Sequence, residues 1–330
     1  MASSAFSQEV VTARATAGDL PAVLALLRRA LGWADVDTSF LAWKHLENPF
    51  GPSPMWIARA GDRVVGFRAF LRWELLSPDG RVIVAARAVD TATDPEFRAR
   101  GIFTSLTLAA LDSLRDEGVE FVFNTPNQQS LRGYLRMGWR QLGRFPVAVR
   151  PGRARFLRVI ATARRAATRD PVPTTFGAAA PDALDDVAAL DRLIASLLPV
   201  SGLSTRRTAD YLRWRYGLRE LGYRVLTHGT SVADGALVFR LRPRGAAVEA
   251  VVAETLVPNG DPARARALVG ELAHSRAADY LMRLDRRRMT RDGFVRVPGM
   301  GPILVGRSLR NDSAPDHRGW EFGMGDVELL

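Results

Sequence analysis

Arg98 and Arg100 stand just before Gly101, where an apolar-periodic stretch that predicts a helix begins. A glycine at this point permits a left-handed backbone, so the loop can present unpaired N–H groups at the positive end of the helix dipole. The two guanidinium groups would add charge-assisted hydrogen bonds. This order of residues predicts an anion site, whose usual occupant is a phosphate. Taken alone, the two arginines could also be solvated surface charges.

The elements around this loop would have to position an extended ligand. Residues 82–89 are a β-branched and alanine run that predicts a buried strand, and Asp94-Pro95 ends it. The helix after Gly101 carries leucines at three-to-four spacing. A second strand over 121–123 and a second helix over about 128–137 follow. The order is therefore strand, loop, helix, strand, turn, helix.

These residues resemble the acetyl-CoA-binding core of the GNAT superfamily of N-acyltransferases. The segment Pro95-Glu96-Phe97-Arg98-Ala99-Arg100-Gly101-Ile102 is followed by Asn127, Tyr134 and Gly138-Trp139, in the order and spacing of that family. The resemblance covers residues 1–150. One departure is Phe103, where the family usually has glycine or alanine. A bulky residue there implies a changed pose for part of the cofactor.

The resemblance implies acetyl-CoA or another acyl-CoA as co-substrate, with no metal. The residues that it places along this molecule are Thr91, Ala92, Thr93, Arg98, Ala99, Arg100, Gly101, Ile102, Phe103, Thr104 and Asn127. Tyr134 would protonate the departing thiolate, a role that suits a phenol because it is a donor at neutral pH. The plainer alternatives are a core aromatic for Tyr134 and a helix cap for Asn127.

The general base is less well specified. Asp90 lies on the first strand near the expected reacting centre, and it is the candidate catalytic carboxylate, although a structural role is an open alternative. His45 and Glu47 lie in a region that often borders the acceptor in the family that the chain resembles. Water, or an amine that arrives neutral, could also take the place of a protein base.

Composition excludes several classes of protein. The chain has 330 residues and no cysteine, and the absence of cysteine excludes disulfides, thiolate metal sites and cysteine nucleophiles. Its four histidines are scattered and show no metal-ligand spacing. The sequence has no N-terminal apolar run and no apolar run of about 20 residues, so it predicts neither a signal peptide nor a membrane span. We therefore expect a cytoplasmic protein. The net charge is +11, but residues 151–175 alone hold six arginines and one aspartate. Because the excess is so concentrated, it does not favour nucleic acid as a partner.

Three segments are predicted. Residues 1–150 form a GNAT domain for acyl-CoA binding and catalysis, 151–175 form a basic linker that could include an amphipathic helix, and 176–330 form a diverged copy. The copy is inferred because Tyr211-Leu212-Arg213-Trp214-Arg215-Tyr216 resembles Phe40-Leu41-Ala42-Trp43-Lys44-His45. Its loop lacks Arg-x-x-Gly, so we expect it to shape the acceptor pocket without binding CoA. The fold class is α+β or α/β, with a mixed, mostly antiparallel sheet flanked by helices in each domain.

The function that the resemblance implies is an acyl-CoA-dependent N-acyltransferase, most simply an N-acetyltransferase. Its acceptor would be a small-molecule amine, such as an amino sugar or a specialised-metabolite intermediate. Two alternatives stay open: an aminoacyl-tRNA-dependent transferase, whose relatives also use tandem GNAT-like domains, and a non-catalytic CoA-binding or regulatory protein. The oligomeric state is left open by the sequence.

Overall fold

The chain is described by a computed structural model over residues 9–153, 170–285, 287, 289–310 and 317–328. The amphipathic helix suggested for the basic linker lies outside these residues. None of the described helices combines the length and apolar character needed to cross a membrane.

The helices are α1 (Leu20–Leu31), α2 (Thr38–His45), α3 (Ile102–Asp116), α4 (Gln128–Arg136), α5 (Ala180–Ala183), α6 (Val187–Ala195), α7 (Ala209–Gly217), α8 (Pro262–His274) and α9 (Met324–Val327). The strands are β1 (Val10–Arg14), β2 (Met55–Ala60), β3 (Arg63–Leu76), β4 (Val82–Thr93), β5 (Phe121–Asn124), β6 (Arg140–Arg144), β7 (Val147–Pro151), β8 (Ala178–Ala179), β9 (Ser204–Thr205), β10 (Arg224–Thr227), β11 (Ala236–Arg244), β12 (Ala247–Leu256), β13 (Tyr280–Leu284), β14 (Val295–Arg296) and β15 (Ile303–Ser308).

The described residues fall into two compact units. The first holds 9–75, 82–142 and 304–310, and the second holds the remaining described residues. The first unit contains a sheet with strand order β1-β2-β3-β4-β5-β15-β6. β1, β2 and β3 pair antiparallel, whereas β4 and β5 are parallel. A parallel pair needs a crossover connection, and α3 supplies it between β4 and β5.

Helix α3 packs closely on this sheet because a glycine on β3 makes room for it. A Cβ at Gly66 would lie 2.4 Å from Ile102 Cγ2. The apolar face of α3 buries Leu106, Ala110 and Leu114, in agreement with the three-to-four spacing seen in the sequence. The N-terminus of α3 is thereby fixed at the end of β4.

The second unit repeats this topology. Its sheet, taken in the matching direction, has the order β8-β10-β11-β12-β13-β7-β14. β12 and β13 are parallel and are joined by α8, as β4 and β5 are joined by α3. Its core includes Leu237, Phe239, Leu268, Leu272 and Leu281. Two mixed, mostly antiparallel sheets flanked by helices confirm the predicted fold class.

Each sheet contains an inner strand that comes from a distant part of the sequence. β15, near the C-terminal end, lies between β5 and β6 in the first sheet, while β7, which directly follows β6 in the chain, lies between β13 and β14 in the second. β15 pairs antiparallel with β5, and β7 pairs antiparallel with β13. The division therefore differs from the expected boundary at residue 150. Alternating strand patterns give the strands themselves but not their long-range partners, which is why the exchange was not foreseen.

Candidate active site

The loop before α3 is open and held in a left-handed backbone. Ala99 has φ 62° and Gly101 has φ 76°, and Gly101 is the N-cap residue of α3. No side chain caps this helix in the described structure, and residues 98–101 are exposed. A Cβ at Gly101 would meet nothing within 4 Å. The first amides of α3 are therefore available to an anion.

The buried carboxylate of Asp94 holds the start of this loop in place. Asp94 is buried, accepts a hydrogen bond of 3.2 Å from the Glu96 amide, and forms ion pairs of 2.7 Å with Arg63 and 3.2 Å with Arg29. Phe97, in the short 3-10 turn that follows, is also buried. These contacts fix the backbone immediately before the exposed arginines.

Arg98 and Arg100 lie on the exposed side of this loop. The Arg100 guanidinium carbon is 4.8 Å from the centre of the Phe97 ring. Neither arginine has a carboxylate partner in the part of the chain that the structure describes. Both remain available as donors to an anion at the helix N-terminus.

A cleft of about 540 Å³ opens where β4 and β5 separate. The strands are paired from Ala85↔Phe121 to Arg87↔Phe123, and beyond this point β4 changes direction at Asp90, whose φ is 46°. Of the residues predicted from the sequence, Asp90, Thr91, Ala92, Thr93, Arg98, Phe103, Asn127 and Tyr134 line the cleft.

The remaining predicted residues lie at the helix entrance, outside the cleft lining. Ala99, Arg100, Gly101 and Thr104 are exposed, so they could contact only the outer part of a ligand. Ile102 is 4% exposed and its side chain packs toward β3, so only its backbone can take part in binding. The predicted set is thus divided between the cleft and its outer rim.

Tyr134 presents its hydroxyl among other aromatic and charged groups. The side chain is 3% exposed, and its oxygen accepts a hydrogen bond of 2.6 Å from Arg68 Nη2. Its ring meets the Phe103 ring edge to face, with centroids 5.5 Å apart at 87°. The expected alternative, a core aromatic, describes its packing, but Tyr134 also lines the cleft.

The bulk of Phe103 is accommodated by helix α4. A Cβ at Gly133 would lie 2.7 Å from Phe103 Cε1, so the phenylalanine ring lies directly against the glycine. Phe103 therefore leaves the first turn of α3 and packs toward Tyr134, while still lining the cleft. The contact between Phe103 and Gly133 explains how this chain accommodates a large residue at a position where the GNAT family usually has a small one.

Asp90 is a buried carboxylate with two basic partners. Lys44 Nζ lies 2.8 Å from Oδ2, and His45 Nε2 lies 2.9 Å from the same oxygen. Burial by itself raises the pKa of Asp90, but the charge of Lys44 and the hydrogen bond from His45 outweigh it and hold the pKa well below the usual range. Asp90 is therefore ionised at neutral pH and is a weak base.

His45 connects Asp90 to a serine. Its Nδ1 lies 3.0 Å from Ser53 Oγ, so a neutral imidazole that donates to Asp90 accepts from the serine hydroxyl. Burial lowers the pKa of His45, against the opposing effect of Asp90. Although the three residue types match a hydrolytic triad, here it is the carboxylate that lines the cleft, while Ser53 is 6% exposed and lies behind His45. The arrangement therefore does not present a serine nucleophile.

Asn127 caps helix α4. Its Oδ1 accepts a hydrogen bond of 2.9 Å from the Ser130 amide, and Asn127 also lines the cleft. The cap alternative is therefore satisfied, and the side-chain NH₂ group is free to serve a ligand in the described structure.

Arg68 and Asn124 are two residues of this region that were not singled out from the sequence. Arg68 stands between Phe67 and Ala69 in the apolar part of β3, and a charged residue in such a run is a signal that could have been used. Asn124 ends β5, lines the cleft, and its buried Oδ1 has no hydrogen-bond partner among the described residues. The described residues contain no group of three or more His, Asp or Glu side chains that could hold a metal ion.

Comparison with known proteins agrees with this geometry. Residues 12–142 match the family model described as an acetyltransferase (GNAT) domain. This stretch of the chain is therefore similar to GNAT domains. No curated protein sequence matches the chain.

Solved structures extend the likeness to both units. A GCN5-related N-acetyltransferase from Kribbella flavida aligns with a TM-score of 0.57 at 17% identity, over 91% of this chain and 72% of that one. Eis1 from Mycobacterium abscessus aligns with a TM-score of 0.59 at 17% identity, over 91% and 74%. A GCN5-related N-acetyltransferase from Anabaena variabilis gives 0.57 at 14%, over 92% and 73%. At these identities the likeness establishes a shared fold.

The second unit has a cleft at the equivalent place but a different helix entrance. About 1000 Å³ of space lies between the ends of β12 and β13, beside α8. Asp261 caps α8, and its Oδ1 accepts hydrogen bonds of 2.8 Å from the Ala263 amide and 3.3 Å from the Arg264 amide. A carboxylate thus occupies the position that is left open at Gly101 in the first unit.

The predicted repeat has a matching contact. Tyr216, aligned with His45, donates a hydrogen bond of 2.9 Å to Glu254 on β12, as His45 does to Asp90 on β4. Burial raises the pKa of Glu254, and the positive charge of Arg207 offsets only part of this increase.

Proposed function

We propose that this chain transfers an acetyl group from acetyl-CoA, or a related acyl group from its acyl-CoA, to the amine of a small molecule. The observation that carries this proposal is the exposed, uncapped N-terminus of α3, with Ala99 and Gly101 in left-handed conformations, beside the cleft between β4 and β5. Open amides, a helix dipole and two arginines without a described carboxylate partner would form a cradle for a diphosphate.

The cleft fits the rest of the CoA molecule. The pantetheine arm carries amide N–H groups, which need acceptors, and the buried Oδ1 of Asn124 is an acceptor without a described partner. The backbone of Thr91, Ala92 and Thr93 runs along the same cleft beyond the last paired residue of β4. A cavity of about 540 Å³ is within the range of small-ligand sites.

The reaction requires one proton to leave the amine and one to reach the sulfur. The amine nitrogen attacks the thioester carbonyl carbon, the C–N bond forms, and the C–S bond breaks. Tyr134 would donate its hydroxyl proton to the departing sulfur. The phenol would recover a proton from solvent as the nitrogen loses its own.

Asp90 is poorly suited to act as the general base. A general base works best when its pKa is close to the working pH, and Lys44 and His45 hold the pKa of Asp90 far below that. Its ionised carboxylate instead favours the structural role that was left open. We therefore propose that the acceptor amine loses its proton to water or arrives neutral.

The test is an acetyl-transfer assay followed by mass spectrometry. Wild-type protein is incubated with acetyl-CoA and, separately, glucosamine, a polyamino sugar, a lysine peptide and uncharged tRNA. We expect a mass increase of one acetyl group on a small amine, and a kcat about 100-fold lower for Tyr134→Phe, the usual scale for loss of an acid catalyst. Leu135→Ala, an exposed neighbour, is the control. Absence of both transfer and CoA binding in the wild type would overturn the proposal.

A further inference from the structure

Arg68 is a buried cation with no anionic partner. It is 0% exposed on β3, and no carboxylate of the described chain lies within ion-pair distance of it. Its Nε has no acceptor among the described residues. Burying a charge without a counter-charge is costly, so a stabilising ion pair does not account for this arginine.

The hydrogen bonds of Arg68 go to two residues that line the cleft from different elements, β4 and α4. Nη2 donates to the Tyr134 hydroxyl on α4 at 2.6 Å, and Nη1 donates to Thr91 Oγ1 on β4. The guanidinium carbon also lies 5.2 Å from the Tyr134 ring centre and 5.6 Å from that of Phe103. Arg68 itself does not line the cleft.

The second unit handles the equivalent arginine differently. Arg240, which follows Phe239 on β11 as Arg68 follows Phe67 on β3, pairs with the Glu328 carboxylate at 2.8 Å. The repeat therefore offers a comparison within one chain. The arginine in the unit whose helix entrance is closed by Asp261 has a carboxylate, while the arginine in the unit with the open entrance has a tyrosine.

We propose that Arg68 is a positioning residue that directs the proton of Tyr134 into the cleft and stabilises the phenolate formed when that proton leaves. An arginine has donors only, so a bond from Arg68 occupies a lone pair of the phenol and leaves its proton free for another acceptor. When the proton moves to the departing sulfur, the negative charge arises 2.6 Å from a fixed positive charge in a water-poor setting. This inference rests on the proposed acyl transfer.

The experiment compares Arg68→Met and Arg68→Lys with the wild type, using acetyl-CoA as donor and hydroxylamine as a small, neutral acceptor probe. We expect kcat to fall about 100-fold in Arg68→Met, the scale of acid catalysis, with KM for acetyl-CoA within about threefold of the wild-type value. Arg68→Lys should recover part of the rate. Arg72→Met, on the same strand, removes an ion pair with Glu117 away from the cleft and should leave kcat unchanged.

Two measurements separate positioning from general support of the fold. Adding Arg68→Met to Tyr134→Phe should lower kcat by no more than about twofold further, because the two residues act as one unit. With the selenoester analogue of acetyl-CoA, whose selenolate departs without a proton, the defect of Arg68→Met should largely disappear. If Arg68→Met shows no cooperative thermal transition, both measurements are made with Arg68→Lys instead.

The outcomes distinguish this inference from the proposed function. A wild type inactive with both donors would overturn acyl transfer itself. An active wild type whose Arg68 variants keep full kcat, or show equal defects with thioester and selenoester, would overturn the role of Arg68 alone. Independent, multiplicative losses in the double variant would do the same.

Discussion

Arg68 and Asp90 show how two buried charges on neighbouring strands are balanced in different ways. Asp90 has Lys44 and His45 within 2.9 Å, so its charge is satisfied inside the protein. The Arg68 guanidinium instead donates hydrogen bonds to the neutral oxygens of Tyr134 and Thr91 and lies against aromatic rings, with no carboxylate beside it in the described structure. The first arrangement stabilises a ground-state charge, whereas the second is suited to a charge that develops during a reaction.

The buried His45 predicts a pH-dependent stability. Its pKa is lowered by burial from 6.5, so below that pH the unfolded chain takes up a proton that the folded chain does not. The contribution of His45 to the free energy of unfolding should therefore be complete above pH 6.5. It should decrease as the pH drops below 6.5, by at most about 1.4 kcal/mol per pH unit.

Urea unfolding at pH 7.5, 6.5 and 5.5 measures this slope. His45→Gln keeps an amide donor toward Asp90 but cannot titrate, so its slope should be smaller than that of the wild type. The exposed His274→Gln is the control and should keep the wild-type slope. Identical slopes for wild type and His45→Gln would contradict the account.

At the scale of elements, the site is made by the ends of β4 and β5 and the starts of α3 and α4. The sequence predicts all four, because glycine, proline and asparagine mark the boundaries where each of them ends or begins. It also predicts the open loop, since Arg98, Arg100 and Gly101 are local features. The contacts of Arg68 and the pairing of Phe103 with Gly133 could not be foreseen, because they join residues far apart in the chain.

Asn127 provides a prediction for helix α4. Removing its cap in Asn127→Ala should lower the free energy of unfolding by about 1 kcal/mol, because the Ser130 amide loses its acceptor. Asn127→Ser keeps a capping oxygen but shortens the side chain. Thermal unfolding with and without CoA separates the two roles: the serine variant should be as stable as the wild type without CoA.

If Asn127 also contacts CoA, the serine variant should gain less stability on adding CoA than the wild type does. An alanine variant with unchanged stability would show that the cap contributes nothing, contrary to the geometry.

At the scale of the whole molecule, the exchange of β7 and β15 determines what can fold alone. A fragment ending at residue 150 would lack β15, leaving β5 and β6 without the strand between them, and would carry β7 without its partner β13. Exposed strand edges favour aggregation. We therefore expect that the boundary at residue 150 does not delimit a domain that folds on its own.

The matching prediction uses two fragments. Residues 9–150 should be insoluble or lack a cooperative transition, whereas residues 9–144 joined by a flexible linker to 302–310 should show one, because the sheet then contains β15. Circular dichroism during heating measures both. A cooperative transition in the first fragment equal to that in the second would show that β15 is dispensable.

The most direct test of the account is calorimetric titration of CoA into wild type, Gly101→Asp and Gly101→Asn. Both residue types tolerate a left-handed backbone, and a Cβ at Gly101 would meet nothing within 4 Å, so the two variants differ mainly by one negative charge. We predict binding by the wild type, a modest loss in Gly101→Asn, and a loss of at least about 100-fold in Gly101→Asp, which corresponds to about 2.7 kcal/mol. Equal affinities in the two variants, or no binding by the wild type, would contradict the claim that the α3 amides hold the diphosphate.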